Sequence, residues 1–395
     1  MSFDSLKQLH DDSLMPTYGR FPVALESGKG ATATDIDGKT YVDFGSGIGV
    51  TSLGYCDDGY IDAVTAQLKT AQHFSNLYYN PVQIRCADEL CRRTGMARVF
   101  FGNSGAEANE CAIKLARKYS FDKYGKGRAT VITLCNSFHG RTVTTLAATG
   151  QDVFHNYFFP FTGDFVYAPA NDLEALKALD DGTVCAVMME CVQGEGGVMP
   201  LDESYIQAVR ALCTERDWVM IIDEVQTGIG RTGKLLAIEH AGVKPDVVTL
   251  AKGLGGGLPI GACLCADGFE TVMSAGMHGS TFGGNPVACA AASYILETVD
   301  TPDFLQAVSE KGDAIRRRLE AMPHVKEVRG KGMMLGVVLE DEIAARDVAN
   351  KCLENGLLIL TAKTLLRLLP PLTISDEELD RGLTILENTL KEWTI

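Results

Sequence analysis

Residues 247–262, VVTLAKGLGGGLPIGA, place a single lysine, Lys252, between an apolar run and a turn rich in glycine. The apolar run predicts a buried strand, and a lysine at the end of such a strand is most often a surface residue. Here four glycines follow Lys252 within five positions. Because glycine has no side chain, we expect this turn to give the lysine amine room to move. Lys252 is therefore the first candidate for chemistry.

Similar apolar runs recur along the chain and alternate with helical patterns, which predicts an α/β fold with a doubly wound, mostly parallel sheet. The predicted strands are RVFFG (98–102), ATVITLC (129–135), TVCAVMME (183–190), WVMIID (218–223) and DVVTLA (246–251). Ligands of such folds bind in the crevice at the carboxyl ends of the strands. The residues that follow each strand are therefore where chemistry is expected.

The pattern of predicted strands and helices divides the chain into three parts. Residues 1–45 form an N-terminal arm or a segment of a small domain, and residues 46–285 form a large domain. Residues 286–395 form a small C-terminal α+β domain, whose last helix begins with a capping box of Ser375 and Glu378.

Composition narrows the class of protein. The net charge of −15 argues against binding to nucleic acid, and no apolar run reaches the roughly 18 residues of a membrane span. The first residues lack the features of a signal peptide, so we expect a cytoplasmic protein. The 12 cysteines include no C-x-x-C motif, and the 7 histidines include no H-E-x-x-H motif. This predicts reduced thiols and no structural metal.

An acid and the lysine are predicted to face one crevice. Asp223 ends the apolar strand WVMIID and precedes Lys252 by 29 residues, which is long enough for one crossover between neighbouring parallel strands. An alternative hypothesis comes from GIGRTG (228–233), which matches the G-x-G-x-x-G pattern of nicotinamide-dependent oxidoreductases. The motif starts five residues after the strand, and no acid follows a next strand at the expected distance, so this match is weak.

Other strand ends supply further groups. Ser104 and Glu107 form an S-x-x-E capping box, and Gly105 and Ala106 leave the first helical amides uncovered, which suits a phosphate. Phe138 follows the strand 129–135 and is either a core residue or a lid over an aromatic ring.

Charged residues complete the crevice. Arg141 is either a surface arginine or a carboxylate-binding residue, whereas Glu190 and Glu195 are two acids that need cations or protons nearby. A lysine, an acid, a phosphate cradle and an aromatic lid at one sheet edge together suit pyridoxal 5′-phosphate.

The chain also resembles the class III (subgroup II) pyridoxal-phosphate-dependent aminotransferases over nearly its whole length, most closely the branch that uses N2-acetyl-L-ornithine. The matching motifs include GNSGAEANE, FHGRT, QGEGGV, DEVQTGIGRTG, LAKGLGGGLPIGA, GSTFGGNP and RLLPPL. The resemblance implies fold type I, with a seven-stranded sheet in the large domain, and a homodimer with shared active sites. It implies cofactor contacts from Ser104, Gly105, Ala106, Phe138, Asp223, Val225, Gln226, Lys252 and Thr281, the last from the other subunit.

The resemblance further implies distinct roles for these residues. Lys252 would be the Schiff-base lysine, Asp223 would pair with the pyridinium nitrogen, and Gln226 would hold the phenolic oxygen. Phe138 and Val225 would cover the two faces of the ring.

Substrate binding is implied at two arginines. Arg141, with Ser280 beside it, would bind the α-carboxylate of the amine donor, and Arg367 would bind glutamate and 2-oxoglutarate. Glu195 would neutralise Arg367 when no carboxylate is present, because an unpaired buried cation is costly. Within the family, donors such as ornithine, succinylornithine, 4-aminobutyrate or N-succinyl-diaminopimelate are the alternatives. The segment HFSNLYYN, with Asn76 and Tyr79 as possible pocket walls, favours acetylornithine.

Overall fold

The computed structural model describes residues 1–393. Its strands are β1 (Leu25–Lys29), β2 (Thr32–Asp35), β3 (Thr40–Asp43), β4 (Arg98–Gly102), β5 (Thr130–Leu134), β6 (Phe165–Ala168), β7 (Val184–Met189), β8 (Val192–Gln193), β9 (Met199–Pro200), β10 (Val219–Asp223), β11 (Val247–Leu250), β12 (Gly261–Cys265), β13 (Val325–Lys331), β14 (Met334–Leu339), β15 (Leu357–Leu358), β16 (Leu360–Ala362) and β17 (Leu365–Leu368).

The α-helices are α1 (Phe3–Ser13), α2 (Ser46–Gly49), α3 (Asp58–Thr70), α4 (Pro81–Thr94), α5 (Gly105–Tyr124), α6 (Val143–Ala148), α7 (Leu173–Ala178), α8 (Glu203–Arg216), α9 (Pro286–Val299), α10 (Pro302–Glu320), α11 (Ala345–Glu354) and α12 (Asp376–Lys391). Short 3₁₀ turns cover Asp152–Phe154, Ala237–Ala241 and Lys252–Leu254. The helix α2 is a single distorted turn.

Across the described residues, the central sheet has seven strands in the order β4-β12-β11-β10-β7-β5-β6. All adjacent pairs from β11 to β6 are parallel, whereas β12 runs antiparallel to both of its neighbours. The predicted α/β class, the mostly parallel sheet and the strands read from the five apolar runs are confirmed. Strands β6 and β12 were not predicted, and β12 contains glycine and alanine, which carry little strand preference.

The sheet is covered on both faces, which explains its apolar strands. Every residue of β7, β10 and β11 is buried, and α5 packs against β12, β11 and β7. Helix α8 packs against β10. This layering leaves the carboxyl ends of β10 and β11 side by side, with Asp223 opposite Thr249.

A second four-stranded sheet, with the order β13-β14-β17-β16, lies in the C-terminal part of the chain. The N-terminal strands β1, β2 and β3 form another sheet together with β15. Helix α12 begins with the predicted reciprocal capping box of Ser375 and Glu378, which is confirmed. The domain boundaries stay a prediction. The final residues of the predicted C-terminal domain, 394 and 395, lie outside the described part of the chain.

No helix within residues 1–393 combines the length and the apolar composition that are needed to cross a bilayer.

Candidate active site

A cavity of about 420 Å³ opens where β10 and β11 end. Nine of the predicted site residues line it together: Ser104, Gly105, Ala106, Phe138, Arg141, Asp223, Val225, Gln226 and Lys252. Four of the residues predicted to bind cofactor or substrate lie outside this lining, namely Glu195, Ser280, Thr281 and Arg367, as do the two possible pocket walls. The structure thus gathers most of the predicted set from segments that are far apart in sequence.

Asp223 is buried and held by three donors. Its Oδ2 accepts hydrogen bonds from Asn109 Nδ2 and from His139 Nδ1, each at 2.8 Å. Its Oδ1 accepts one from the amide of Val225 at 3.0 Å. These contacts fix the carboxyl group of Asp223 at the cavity, which it lines.

Sequence reasoning missed Asn109 and His139 as partners of Asp223. Asn109 lies one helical turn after Gly105, on the same side of α5, and His139 directly follows Phe138, so their positions were the available signal. The Nε2 atom of His139 is buried and has no hydrogen-bond partner among residues 1–393. His139 therefore contributes to this site through Nδ1, which donates to Asp223.

Lys252 occupies the wall of the cavity beside Asp223. Its enclosure by protein lowers the pKa of its amine, although Glu195 and Asp223 partly oppose this effect. Its backbone has a φ of 45°, which is strained for a side chain other than glycine by about 1 kcal/mol. Within the described residues, no hydrogen bond holds the amine, so it is available to react.

The prediction that the glycines after Lys252 give the amine room is wrong for most of them. A Cβ at Gly253 would lie 2.9 Å from Ser52 Oγ, and one at Gly256 would lie 2.6 Å from Ile295 Cδ1. These glycines permit close packing under the turn. Only Gly257 both lines the cavity and faces open space.

The N-terminus of α5 also faces the cavity. The hydroxyl of Ser104 caps it by accepting from the amide of Glu107 at 3.2 Å. The predicted capping box is wrong in its second half, in which the Glu107 side chain would accept from the amide of Ser104. Ser104 is extended, and the Glu107 carboxylate accepts from the amide of Asn103 instead. Among residues 1–393, the amides of Gly105 and Ala106 donate no hydrogen bond. They form a site for an anion at the positive end of a 20-residue helix.

Phe138 and Val225 both line the cavity, and Val225 also explains the glycine of the phosphate cradle. A Cβ at Gly105 would lie 2.7 Å from Val225 Cγ1. The amide of Phe138 donates to Glu190 Oε2 at 3.0 Å, which fixes the backbone below the ring. Burial and the nearby Asp223 raise the pKa of Glu190 well above its usual value.

Arg367 and Glu195 form an ion pair next to the cavity. The Nη1 of Arg367 donates to Glu195 Oε1 at 2.5 Å and to Gln226 Oε1 at 3.3 Å. Enclosure opposes ionisation of Glu195, but the guanidinium outweighs it and lowers the pKa of Glu195. Since Gln226 lines the cavity, the pair lies one side chain away from the reacting space.

Arg141 is an exposed cation that lines the cavity. Its guanidinium lies 4.2 Å from the centre of the Phe154 ring and 5.5 Å from that of Phe138. No acidic side chain of residues 1–393 forms an ion pair with it. Arg141 is thus presented on aromatic faces and is free to bind an anion.

The loop that contains Ser280 and Thr281 borders the site without lining it. Ser280 Oγ accepts from Asn103 Nδ2 at 3.1 Å, whereas Thr281 is exposed. The predicted pocket walls Asn76 and Tyr79 are absent from the lining. Asn76 instead anchors the loop by donating to the carbonyls of Ser280 and Gly283, and Tyr79 is 98% exposed.

The GIGRTG turn is buried rather than open to a dinucleotide. A Cβ at Gly230 would lie 2.5 Å from Val299 Cγ1, and Arg231 and Thr232 are almost fully enclosed. Its glycines serve packing against the C-terminal part of the chain, so the structure leaves no groove there for a nicotinamide cofactor.

The residues present fit pyridoxal 5′-phosphate. A free enclosed amine, a fixed carboxylate and two unpaired helical amides surround one cavity, which Phe138 and Val225 also line. No group of three His, Cys, Asp or Glu residues within 1–393 has an arrangement suited to a metal ion.

Comparisons with known proteins agree with this geometry. The sequence model of the family "Aminotransferase class-III" matches residues 14–390. The acetylornithine aminotransferase of Haemophilus ducreyi is 53% identical over 99% of this chain and 100% of its own length. That of Caldanaerobacter subterraneus is 49% identical over 96% of this chain and 97% of its own.

A solved structure is also similar. The ornithine aminotransferase of Toxoplasma gondii, crystallised with partial occupancy of pyridoxal phosphate in its active site, has a TM-score of 0.93 and 34% identity. The alignment covers 98% of this chain and 94% of that one. The chain accordingly belongs to the class-III aminotransferases, which are pyridoxal-phosphate-dependent enzymes.

Proposed function

We propose that the protein is an acetylornithine aminotransferase, which transfers the δ-amino group of N2-acetyl-L-ornithine to 2-oxoglutarate. The products are N-acetylglutamate 5-semialdehyde and L-glutamate. The observation that supports this best is the arrangement of two arginines around one cavity, with Arg141 free and Arg367 paired with Glu195. The high identity to relatives named acetylornithine aminotransferases supports the choice of donor.

The cofactor, when bound, supplies a carbonyl group that condenses with amines and a ring that accepts electrons. Lys252 would hold it covalently, Asp223 would face its ring nitrogen and Gln226 its phenolic oxygen. Phe138 and Val225 would cover its two faces. Its phosphate would be held by Ser104, Gly105 and Ala106, together with Thr281 of the partner subunit.

Lys252 moves the proton in both half-reactions. Its lowered pKa leaves a larger share of the amine uncharged at neutral pH, so Nζ can take the proton from the δ-carbon of the donor. The same atom then returns the proton to a neighbouring carbon. Three hydrogen bonds hold the carboxyl group of Asp223 in place.

The two arginines separate the two substrates. The δ-amine of acetylornithine reacts far from its α-carboxylate, which Arg141 binds beside Ser280. Glutamate and 2-oxoglutarate react at the carbon next to a carboxylate, so that group reaches deeper and meets Arg367. Glu195 neutralises Arg367 during the first half-reaction and is displaced by the acid during the second.

We also propose a homodimer. Large apolar side chains are exposed near Thr281, namely Leu68, Phe74, Leu77, Tyr78, Tyr79 and Phe282. Such a patch is typical of a protein interface. A partner subunit that covers this patch would bring Thr281 of the partner subunit to the phosphate. All 12 cysteines are free thiols, which suits a reducing compartment such as the cytoplasm.

The test is a visible spectrum of the purified protein during each half-reaction. We expect a yellow protein that bleaches with N2-acetyl-L-ornithine and regains its colour with 2-oxoglutarate. Faster bleaching by ornithine, succinylornithine, 4-aminobutyrate or N-succinyl-diaminopimelate would assign another donor. Sedimentation checks the dimer, and a monomer at the concentration of full activity would contradict it.

A further inference from the structure

Arg231 is a buried cation that the reaction described above does not use. It belongs to the GIGRTG turn, is only 2% exposed and forms no ion pair with any residue of 1–393. Burial lowers the pKa of its guanidinium to about 9. Because burying a cation without a carboxylate is unfavourable, its position calls for a compensating role.

The side-chain hydrogen bonds of Arg231 reach carbonyls next to the C-terminal sheet. Its Nη1 donates to the carbonyl of Pro370 at 2.6 Å and to that of Met333 at 3.2 Å. Its own carbonyl accepts from the amide of Met333 at 3.0 Å. Gly332 permits this approach, since a Cβ there would lie 2.8 Å from the carbonyl oxygen of Arg231.

These carbonyls flank the strands that position Arg367. Pro370 lies three residues after Arg367, just beyond the end of β17. Met333 directly precedes β14, in which Gly336 pairs with Arg367. The loop of Arg231 also contains Gln226, which accepts a hydrogen bond from Arg367. The same loop is therefore connected to Arg367 in two ways. Gln226 accepts a hydrogen bond from Arg367 itself, and Arg231 donates to carbonyls next to the strands β14 and β17.

We propose that Arg231 is a positioning residue for Arg367, holding the end of β17 against the loop 224–233 so that Arg367 can bind the carboxylate of the acceptor acid. The inference rests on the proposed function, because it takes Arg367 as the binding group for 2-oxoglutarate. An arginine suits this task, since its long side chain and rigid planar head can reach two carbonyls. A lysine is shorter, and its ammonium is a compact point charge.

The experiment measures binding of glutarate, a dicarboxylate that cannot be transaminated, to the holoenzyme by calorimetry. We expect Arg231→Lys and Arg231→Ala to weaken the binding of glutarate at least about ten-fold, because a misplaced Arg367 guanidinium loses a charge-assisted hydrogen bond to the ligand. Added guanidinium ion should restore part of the affinity of Arg231→Ala. In turnover, KM for 2-oxoglutarate should rise, while single-turnover bleaching by the amine donor keeps its wild-type rate.

Arg316→Lys is the matched control. Arg316 also donates to two carbonyls of the C-terminal part, those of Val328 at 2.5 Å and Gly330 at 2.8 Å, but it does not touch β17. This variant should bind glutarate like the wild type. Arg231 variants that bind glutarate normally would overturn the inference, as would a loss of affinity for glutarate and donor alike without guanidinium rescue. Wild-type enzyme that fails to bind glutarate would instead count against the proposed function.

Discussion

The imidazole Nδ1 of His139 lies 2.8 Å from Oδ2 of Asp223, and both side chains are shielded from water. Together with Asn109, this histidine fixes the carboxylate that would face the cofactor ring. The role of His139 at this site is to donate a hydrogen bond to that carboxylate.

We expect His139→Phe to destabilise the cofactor-free protein by about 1–3 kcal/mol, because the substitution removes one of the two side-chain hydrogen bonds that the buried Oδ2 of Asp223 accepts. The variant should also bind pyridoxal phosphate more weakly. Thermal unfolding and a cofactor titration measure the two effects. His155→Phe is the control, since His155 bonds only to the carbonyl of Leu146 and should not affect cofactor affinity.

Lys252→Ala should abolish turnover and leave the fold intact. The amine carries the proton transfer, and without it no other side chain of the cavity is placed to replace it. Circular dichroism and the rate of both half-reactions check the prediction, with the exposed Lys244→Ala as control. Substantial residual activity in Lys252→Ala would refute the assignment.

The stability of the cofactor-free protein should depend on pH through Lys252. Its folded-state pKa is lower than the usual 10.5, so the unfolded chain binds more protons between these two values. Stability that depends on this group therefore rises with pH across that window and is lowest below it. Lys252→Met should be more stable than the wild type near neutral pH, with the difference shrinking toward pH 10.5. Denaturant unfolding at several pH values measures this, and a difference that grows with pH would contradict the prediction.

Glu195→Gln should change the preference between substrates. In this variant a neutral amide replaces the carboxylate that pairs with Arg367. A substrate carboxylate therefore meets an unpaired guanidinium, whereas a donor that has no carboxylate at this position is disfavoured. We expect the ratio of glutamate to acetylornithine reactivity to rise at least about ten-fold, or roughly 1.4 kcal/mol. Single-turnover bleaching with each donor gives this ratio. Glu203→Gln, at an exposed pair with Lys331, serves as control and should leave it unchanged.

Arg141→Ala should raise KM for acetylornithine by about ten- to a hundred-fold, since a hydrogen bond to a charged group contributes about 1.5–3 kcal/mol. Phe154→Leu should give a smaller rise, because a cation–π contact at an exposed site contributes about 0.5–1 kcal/mol. Steady-state kinetics with both substrates tests the pair. If Arg141→Ala and Arg367→Ala each raised KM equally for both substrates, the two arginines would not have separate roles.

The sequence alone determined five of the seven strands of the central sheet and the residues at their ends. Apolar runs, the position of Asp223 and Lys252 after two of them, and the cap at Ser104 depend on neighbours within a few residues, so they can be recognised locally. These signals predicted the fold class and several of the residues that line the cavity, including Ser104, Asp223 and Lys252.

Only the tertiary structure decided which distant groups meet. His139 and Asn109 reach Asp223 across 84 and 114 residues, and Arg231 reaches Pro370 across 139. The glycines after Lys252 and in GIGRTG are explained by the atoms packed against them, and not by their neighbours in sequence. The physical reason is that burial, partner atoms and free space at a side chain are set by segments that approach it from elsewhere in the chain, and no local pattern contains them.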